Sequence, residues 1–294
     1  MQKKIELYIF LFSILFFSVT IFSFEEIFKN NLRNQFLLII IPLLWPGIAH
    51  GSLDLHIAQR LKFVENKFNL LLFSFGYILI ATAYFILWLI NSELSLYLFL
   101  LISIIHFGIS DTLNTSNTKF FYFELFLRGT IPIIVPIIFY EQITDSIFSL
   151  LSTSNNLSQI INQYLYFYFV ILLIVFFKDL YTKKLFIKEH YYQSLIEIFF
   201  IFLCFVSFEP LIAFSIYFCF LHSIRHLFDE KIKLKFTTKK LIKATLPLTL
   251  ITTIIMICIY YMIKDFEYIY ISLLFIILSC LTVPHMLLVN FTKS

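Results

Sequence analysis

Residues 70–90 read LLLFSFGYILIATAYFILWLI, an apolar run without a charged side chain. A helix needs about 20 such residues to cross the hydrocarbon core of a bilayer. Strands of a membrane β-barrel alternate apolar and polar residues, whereas this run is continuous. The stretch therefore predicts a membrane-spanning α-helix.

The composition of the whole chain indicates that it contains several such membrane-spanning helices. Of the 294 residues, 60% are apolar and 14% are charged, and the mean hydropathy is +0.91. Soluble domains carry roughly 25% charged residues, so a water-soluble globular fold and a disordered chain are both excluded. We expect an all-α, polytopic transmembrane helix bundle in the lipid bilayer, with residues 1–294 forming a single integral membrane domain. The net charge of +4 suits membrane orientation, and we expect no nucleic-acid partner.

Charged and polar breaks divide the chain into about ten candidate spans, and eight to ten is the expected range. The long apolar run after residue 193 is divided at Glu209–Pro210, because proline cannot continue a helix. The candidate spans lie near residues 5–24, 36–58, 68–90, 94–113, 121–140, 160–178, 193–208, 210–228, 241–263 and 268–290.

The distribution of Lys and Arg predicts the orientation of these spans. With the N-terminus in the cytoplasm, the inner segments hold 17 of the 22 Lys and Arg residues and the outer segments hold three. The other two, Arg128 and Arg225, lie within spans. Glu124 and Glu197 are further charges inside spans, and we expect them and Arg128 to pair helices. The chain is also rich in Phe, Ile, Lys and Asn, which is typical of AT-rich bacterial genomes. We therefore expect a multi-pass protein of the bacterial cytoplasmic (inner) membrane.

Five histidines share one depth in this predicted bundle, namely His50, His106, His222, His226 and His285. Each lies about 12 to 17 residues from the outer end of an even-numbered span, which is about 18–26 Å along a helix. Four residues separate His222 from His226, so that both imidazoles can face one ion. Because ionisable groups inside a membrane are costly, this layer predicts a shared metal site.

The donor set narrows the choice of metal. Neutral imidazoles without thiolates leave iron, copper(II), nickel and zinc as candidates. Asp54 lies four residues after His50, on the same face of an α-helix, where it can accept a ring N–H or order a neighbouring ligand. Asp111 lies five residues after His106, about 140° around the helix axis. We therefore expect Asp111 to reach a ligand on another helix.

Four short blocks resemble a known family. They are HGSLD at residues 50–54, HFG at 106–108 with Asp111, HSIRH at 222–226, and PHMLL at 284–288. In this order they are similar to the signature blocks of the Brp/Blh family, the bacterial and archaeal β-carotene 15,15′-dioxygenases, which are integral membrane proteins. The resemblance implies oxidative cleavage of β-carotene by O2 at its central double bond, which gives two molecules of all-trans-retinal.

The resemblance also implies a site. It implies Fe(2+) held by four histidines, with no catalytic side chain beyond the metal centre. The corresponding residues are His50, His106, His222 and His226. The family does not count His285 among its ligands, so we expect His285 to line the site together with Asp54 and Asp111. Because retinal is the product, we expect a functional link to a retinal-binding rhodopsin.

Two other functions remain open at this level. One is another membrane metal–oxygen enzyme that acts on a lipid, although di-iron enzymes of that kind carry several clustered histidine boxes and only one HxxxH is present. The other is a metal-ion or proton transporter with a histidine site. Such a transporter needs broken helices, and five prolines can supply the breaks. They are Pro42, Pro46, Pro132, Pro136 and Pro247.

Overall fold

A computed structural model of the chain describes residues 2–152, 157–262 and 269–290. Within these ranges every regular element is a helix, and the only β-type pairing is an isolated bridge between Thr118 and Leu185. The all-α prediction is therefore confirmed. Lys264 and Lys293, which entered the charge count, lie outside the described residues.

Fifteen α-helices and three irregular helical segments follow one another in the described part of the chain. The α-helices are α1 Gln2–Ser23, α2 Glu25–Phe28, α3 Leu32–Pro42, α4 Asp54–Arg60, α5 Lys67–Ile90, α6 Ser92–Asp111, α7 Phe121–Phe139, α8 Glu141–Leu151, α9 Leu157–Gln163, α10 Leu165–Tyr181, α11 Lys188–Ser207, α12 Pro210–Tyr217, α13 Ile224–Lys233, α14 Thr238–Met262 and α15 Ile269–Asn290. The irregular segments are a π-helix over Leu43–Gly47, a 3-10 helix over Ile48–Leu53 and a second π-helix over Phe218–Ser223.

Nine stretches of the described chain are long and apolar enough to cross a membrane. The pair α9 and α10, bent by 53° at the break between them, supplies a tenth if the two are counted as one span. These ten stretches correspond one to one with the candidate spans from the sequence. The prediction of about ten spans is thus confirmed, and the chain is a multi-pass membrane protein.

The predicted break at Glu209–Pro210 is confirmed. Helix α11 ends at Ser207, and Pro210 is the first residue of α12. The Glu209 carboxylate accepts hydrogen bonds from the Asn30 backbone N–H at 2.9 Å and from Gln35 Nε2 at 2.6 Å. The charged residue at the break therefore finds its partners within the chain.

The prolines differ in their effect on the helices. Pro132 and Pro136 lie inside α7, and Pro247 lies inside α14, so these three do not end a helix. Pro46 does interrupt its span. Trp45 before it has an extended backbone, with φ −144° and ψ 118°, because a proline disfavours the α conformation in the preceding residue.

The described chain divides into two compact units. Unit 1 comprises Met1–Leu37, Leu100–Ser149 and Ser154–His222. Unit 2 comprises Leu38–Phe99, Leu150–Thr153 and Ser223–Ser294. The single membrane domain over residues 1–294 stays a prediction.

In unit 1, a buried ion-pair cluster joins α7 and α11. Arg128 Nε lies 2.7 Å from Glu124 Oε1, and Arg128 Nη1 lies 2.9 Å from Glu197 Oε2. Glu124 also accepts hydrogen bonds from the backbone N–H groups of Leu113 and Asn114, just beyond the end of α6. The expected helix–helix pairing of the three charged residues is confirmed.

Two glycines in unit 1 allow α6 and α7 to approach closely. A methyl group at Gly108 would meet the Leu125 backbone carbonyl, and one at Gly129 would overlap the Ile104 carbonyl. Small residues at such contacts are common in membrane helix pairs, because packing rather than hydrophobicity drives association there. The contact at Ile104 lies two residues from His106, so it helps to place that histidine.

In unit 2, α15 packs against α5, and α14 packs against the 3-10 helix. Trp88 Nε1 donates to Ser279 Oγ at 2.8 Å, which links α5 to α15. The hydroxyls of Ser52 and Thr249 lie 3.3 Å apart, which links the 3-10 helix to α14. These contacts hold the 3-10 helix, which carries His50, against two long spans.

We expect Gly129→Ala to destabilise the protein, because the added methyl group overlaps a backbone carbonyl that cannot rotate away. Overpacking of this kind costs about 1–3 kcal/mol. Gly76→Ala is the matched control, since a methyl group there meets nothing within 4 Å. Thermal unfolding in detergent, followed by circular dichroism, measures both. A Gly129→Ala transition temperature equal to that of Gly76→Ala would contradict the close approach of the helices.

We expect Arg128→Met to lower the unfolding free energy by about 3–5 kcal/mol, because it leaves two buried carboxylates without their cation. Lys29→Met removes an ion pair of the same i,i+4 spacing, Lys29 with Glu25 at 2.6 Å, whose side chains are more than half exposed. Exposed pairs contribute little, so this control should unfold like the wild type. Similar effects of the two substitutions would show that the buried cluster is not a stabilising element.

Candidate metal centre

Two of the predicted site histidines lie on irregular helical segments. His50 is part of the 3-10 helix that follows the interruption at Pro46, and His222 is part of the π-helix over Phe218–Ser223. Irregular backbone at membrane depth is tolerated where it is buried in protein or lines a cavity. Short π segments inside helices occur frequently at functional sites. The irregular backbone segments therefore contain two of the histidines that the sequence predicts as metal ligands.

In unit 1, His106 and His222 form a buried pair. Their Nε2 atoms lie 3.2 Å apart. The ring of Phe107 packs edge-on against His222, with centroids 4.9 Å apart, and Phe218 stacks on the same imidazole. Apolar rings thus shield this pair of imidazoles from water.

Asp111 determines which nitrogen of His222 carries the proton. Asp111 Oδ1 lies 3.2 Å from His222 Nδ1, and Tyr217 donates its hydroxyl hydrogen to Asp111 Oδ2 at 2.5 Å. An ionised carboxylate can only accept hydrogen bonds, so the proton of His222 is assigned to Nδ1. The Nε2 atom of His222 then presents its lone pair, as a metal ligand must.

In unit 2, the rings of three histidines contact one another. The ring centroids are 5.6 Å apart for His50 and His226, 5.1 Å for His50 and His285, and 5.1 Å for His226 and His285. His50 and His285 are buried, and His226 is half-buried. The unit therefore gathers imidazoles from the 3-10 helix, α13 and α15.

The expectation that Asp54 and His50 share one face of an α-helix is wrong. Residues 48–53 form a 3-10 helix, in which four positions correspond to about 120° rather than about 40°. Asp54 Oδ1 instead lies 2.7 Å from His285 Nδ1, and Tyr77 donates to Asp54 Oδ2 at 2.8 Å. The carboxylate therefore orders a histidine that is distant in sequence.

His50 has its own partners in unit 2. Its Nδ1 contacts the Gly47 carbonyl oxygen and lies 3.2 Å from Ser223 Oγ. The carbonyl can only accept, so Nδ1 of His50 carries the proton and Nε2 carries the lone pair. Each unit thus holds one imidazole, His222 or His50, in the tautomer that binds metals.

The residues fit a metal ion with nitrogen ligands. In unit 1 the buried His106 and His222 can each contribute an imidazole, and in unit 2 the buried His50 can do so. Two nitrogens that bind one ion at about 2.1 Å lie roughly 3.0–3.4 Å apart, and the 3.2 Å between His106 and His222 falls in this range. Hydrogen bonds to the remote ring nitrogen are the usual outer support of such ligands.

An apolar cavity of about 290 Å³ lies within unit 2, walled by α5, α14, α15 and the 3-10 helix. Its polar end is formed by His50, Asp54, Tyr77 and His285. Aliphatic and aromatic side chains make most of the remaining wall, including Phe73, Leu248, Leu274, Ile277, Leu278 and Leu281. A cavity with a few convergent polar groups and apolar walls is typical of a small-molecule site.

The sequence patterns did not identify Tyr77, Tyr217 or Ser223. A tyrosine inside an apolar span is a signal in itself, because its hydroxyl needs a partner there. The partner, however, lies on another helix in each case, Asp54 for Tyr77 and Asp111 for Tyr217.

Comparison with known proteins gives a consistent result. The model of a protein family described as beta-carotene 15,15′-dioxygenase matches residues 41–293. A protein named beta-carotene 15,15′-dioxygenase from uncultured marine bacterium 66A03 is 32% identical over 262 residues, which cover 83% of this chain and 89% of that protein. No solved structure matches.

We expect Asp111→Asn to weaken metal binding by about 10–100-fold, the usual effect of losing a carboxylate behind a histidine ligand. Competition with a chelator, read as metal retained per chain, measures this affinity. Asp179→Asn is the matched control, because Asp179 is also buried in unit 1 but accepts its hydrogen bond from the Phe123 backbone N–H. Equal metal retention in the two variants would argue against a ligand role for His222.

Proposed function

The chain belongs to the β-carotene 15,15′-dioxygenase family, and we propose that it performs the reaction at an iron ion held by four of its histidines. The chain is an enzyme that cleaves β-carotene at its 15,15′ double bond to give retinal. The observation that best supports the mechanism is the apolar cavity that ends at the imidazoles of His50 and His285. It combines a surface for a hydrocarbon with ligands for a metal.

The proposed ligands are His106 and His222 of unit 1 and His50 and His226 of unit 2. The short contact between His106 and His222 supports the first pair. The ring contact between His50 and His226 supports the second. The π-helix and α13 follow each other without a break, and they carry His222 and His226 four residues apart. A single helical stretch thus contributes one ligand to each pair.

Iron is proposed because the reaction consumes O2. Imidazoles suit iron, copper, nickel and zinc, but zinc has no redox chemistry. When bound, Fe(2+) would supply the redox chemistry that lets dioxygen react with a carbon–carbon double bond. The overall change is balanced by one O2 for each β-carotene, because each half of the broken bond receives one oxygen atom and becomes an aldehyde.

The side chains of the protein contribute orientation and exclusion of water. Asp111, the Gly47 carbonyl and Ser223 hold the rings of His222 and His50 in fixed tautomers. The apolar walls of the cavity bind a hydrocarbon and keep water away from the reacting bond. No proton transfer is needed in the overall reaction, and no side chain is proposed as a general acid or base.

His285, Asp54 and Tyr77 are proposed to line the site rather than to take part in the chemistry. His285 packs edge-on against both His50 and His226. The hydrogen bonds from His285 and Tyr77 to Asp54 hold this arrangement in place. Their proposed role is to restrict the orientations that the two ligand rings can adopt.

We place the protein in the bacterial cytoplasmic membrane with its N-terminus in the cytoplasm, because Lys and Arg concentrate in the predicted inner segments. β-Carotene dissolves in the bilayer, so a cavity at membrane depth meets its substrate there. A functional link to a retinal-binding rhodopsin is proposed because such a protein consumes the product. The family match favours this function over the transporter and over a di-iron lipid enzyme.

The direct test is to express the chain in a bacterium that accumulates β-carotene and to measure retinal by chromatography. We expect retinal from the wild type, with about one iron bound per purified chain, as a four-imidazole site for a single ion requires. The double substitution His222→Ala, His226→Ala should abolish retinal formation and iron binding together. His190→Ala is the control, because His190 is exposed in the first turn of α11.

Three outcomes would change the proposal. Retinal from the double variant would show that these histidines are not the ligands. Two irons per chain would favour a di-iron enzyme. An iron-loaded wild type in the membrane that leaves β-carotene intact would reject β-carotene as the substrate.

A further inference from the structure

We propose that the apolar cavity of unit 2 holds one half of the β-carotene molecule and thereby selects the central double bond for cleavage. This inference rests on the proposed function and extends it to substrate position. In this arrangement the first half of the substrate fills the cavity, and the second half continues beyond the histidines.

The cavity has a polar end, and buried apolar side chains line it farther along α14 and α15. His50 and His285 form the polar end, together with the Asp54 carboxylate that binds His285. Leu274 and Met256 also line the cavity, and both are buried. A hydrocarbon chain that enters with its end group first would therefore stop against these two side chains.

Helix α15 gives the scale of the cavity. His285 and Leu274 both line it, and their spacing along this helix corresponds to about 16 Å. One half of an extended β-carotene, from its central bond to its ring, has a comparable length. A substrate that fills the cavity thus brings its middle, and not another double bond, to the histidines.

A cavity that is blocked at a fixed distance from the histidines is sufficient to choose the position of cleavage. The conjugated double bonds of β-carotene have similar chemistry, and no polar group on the hydrocarbon marks the centre. Hydrogen bonds therefore cannot select the bond, and only the distance from one end of the molecule can. A wall at a fixed distance from the metal therefore sets the distance between the end of the substrate and the bond that is cleaved.

The cavity also reaches the lipid-facing surface, which gives the substrate a route. Ile78 of α5 and Leu248 of α14 line the cavity and are 63% and 43% exposed. These exposed apolar side chains face the hydrocarbon region in which β-carotene is dissolved. The occupant enters from the bilayer without crossing water.

The test uses Leu274→Trp, which shortens the cavity at the level of the buried Leu274. Two substrates are compared in detergent-purified, iron-loaded enzyme: β-carotene, and β-apo-8′-carotenal, which is shortened at one end. We expect retinal formation from β-carotene to fall by about tenfold or more, since overpacking of about 1–3 kcal/mol corresponds to this range. Retinal formation from the shortened substrate should be nearly unchanged, because its short end fits the shortened cavity.

Leu287→Trp is the matched control, because it makes the same change on the same helix at a side chain that is 46% exposed. It should process both substrates like the wild type. Undiminished β-carotene cleavage by Leu274→Trp would overturn the proposal. Equal loss of both substrates, in a variant with wild-type iron content and unfolding temperature, would overturn it as well.

A second variant covers the case in which Leu274→Trp does not fold. Leu274→Ala deepens the cavity, and we expect β-carotene to yield some products of unequal length beside retinal. Retinal as the sole product of Leu274→Ala would overturn the proposal. If the wild type itself forms no retinal from β-carotene, the proposed function fails. If the wild type forms retinal and both Leu274 variants behave like it, the proposed function stands and this inference fails.

Discussion

A polar group inside the bilayer is costly unless it finds a partner within the chain, because the hydrocarbon offers no hydrogen bonds. This constraint organises the described part of the structure. Arg128 is buried between Glu124 and Glu197, and these charges tie α7 to α11. Asp111 and Asp54 are buried as well, and each binds one histidine and one tyrosine. Carboxylates that would be costly alone thus become the supports of imidazoles, which are the groups able to bind a metal.

The same constraint limits where the helices can be irregular. A regular helix satisfies its own backbone but presents its side chains at fixed angles. The interruption at Trp45–Pro46 and the 3-10 helix after it place His50 beside the Gly47 carbonyl and Ser223. The freed backbone is buried against α14, so the irregularity is tolerated at membrane depth. The π-helix that contains His222 likewise comes directly before a regular helix, α13, which carries His226.

The proposed chemistry follows from combining these polar groups with an apolar space. A hydrocarbon substrate offers no charge or hydrogen bond for recognition, so shape and length are what a protein can read. Unit 2 supplies a cavity whose walls are mostly apolar and whose ionisable side chains contact one another in a single cluster. Binding energy from the long apolar walls would hold the reacting bond near the metal, although these walls do not touch that bond. The family relationship identifies the substrate, and the cavity supplies a physical means of positioning it.

The sequence alone determined the all-α membrane fold, the number and approximate bounds of the spans, and the family, because hydrophobic runs, charge breaks and short histidine blocks are local patterns. The break at Glu209–Pro210 is an example, since proline acts on its own segment. What the tertiary structure decided are the pairings across helices. Asp54 binds His285 rather than His50, because residues 48–53 form a 3-10 helix that turns the Asp54 side chain away from the face of His50. No local sequence pattern predicted this 3-10 helix. Tyr77 and Tyr217, and the cavity walls from α5, α14 and α15, likewise depend on which helix faces which. Helix faces meet through packing between distant segments, and a single sequence does not contain that information in any local stretch.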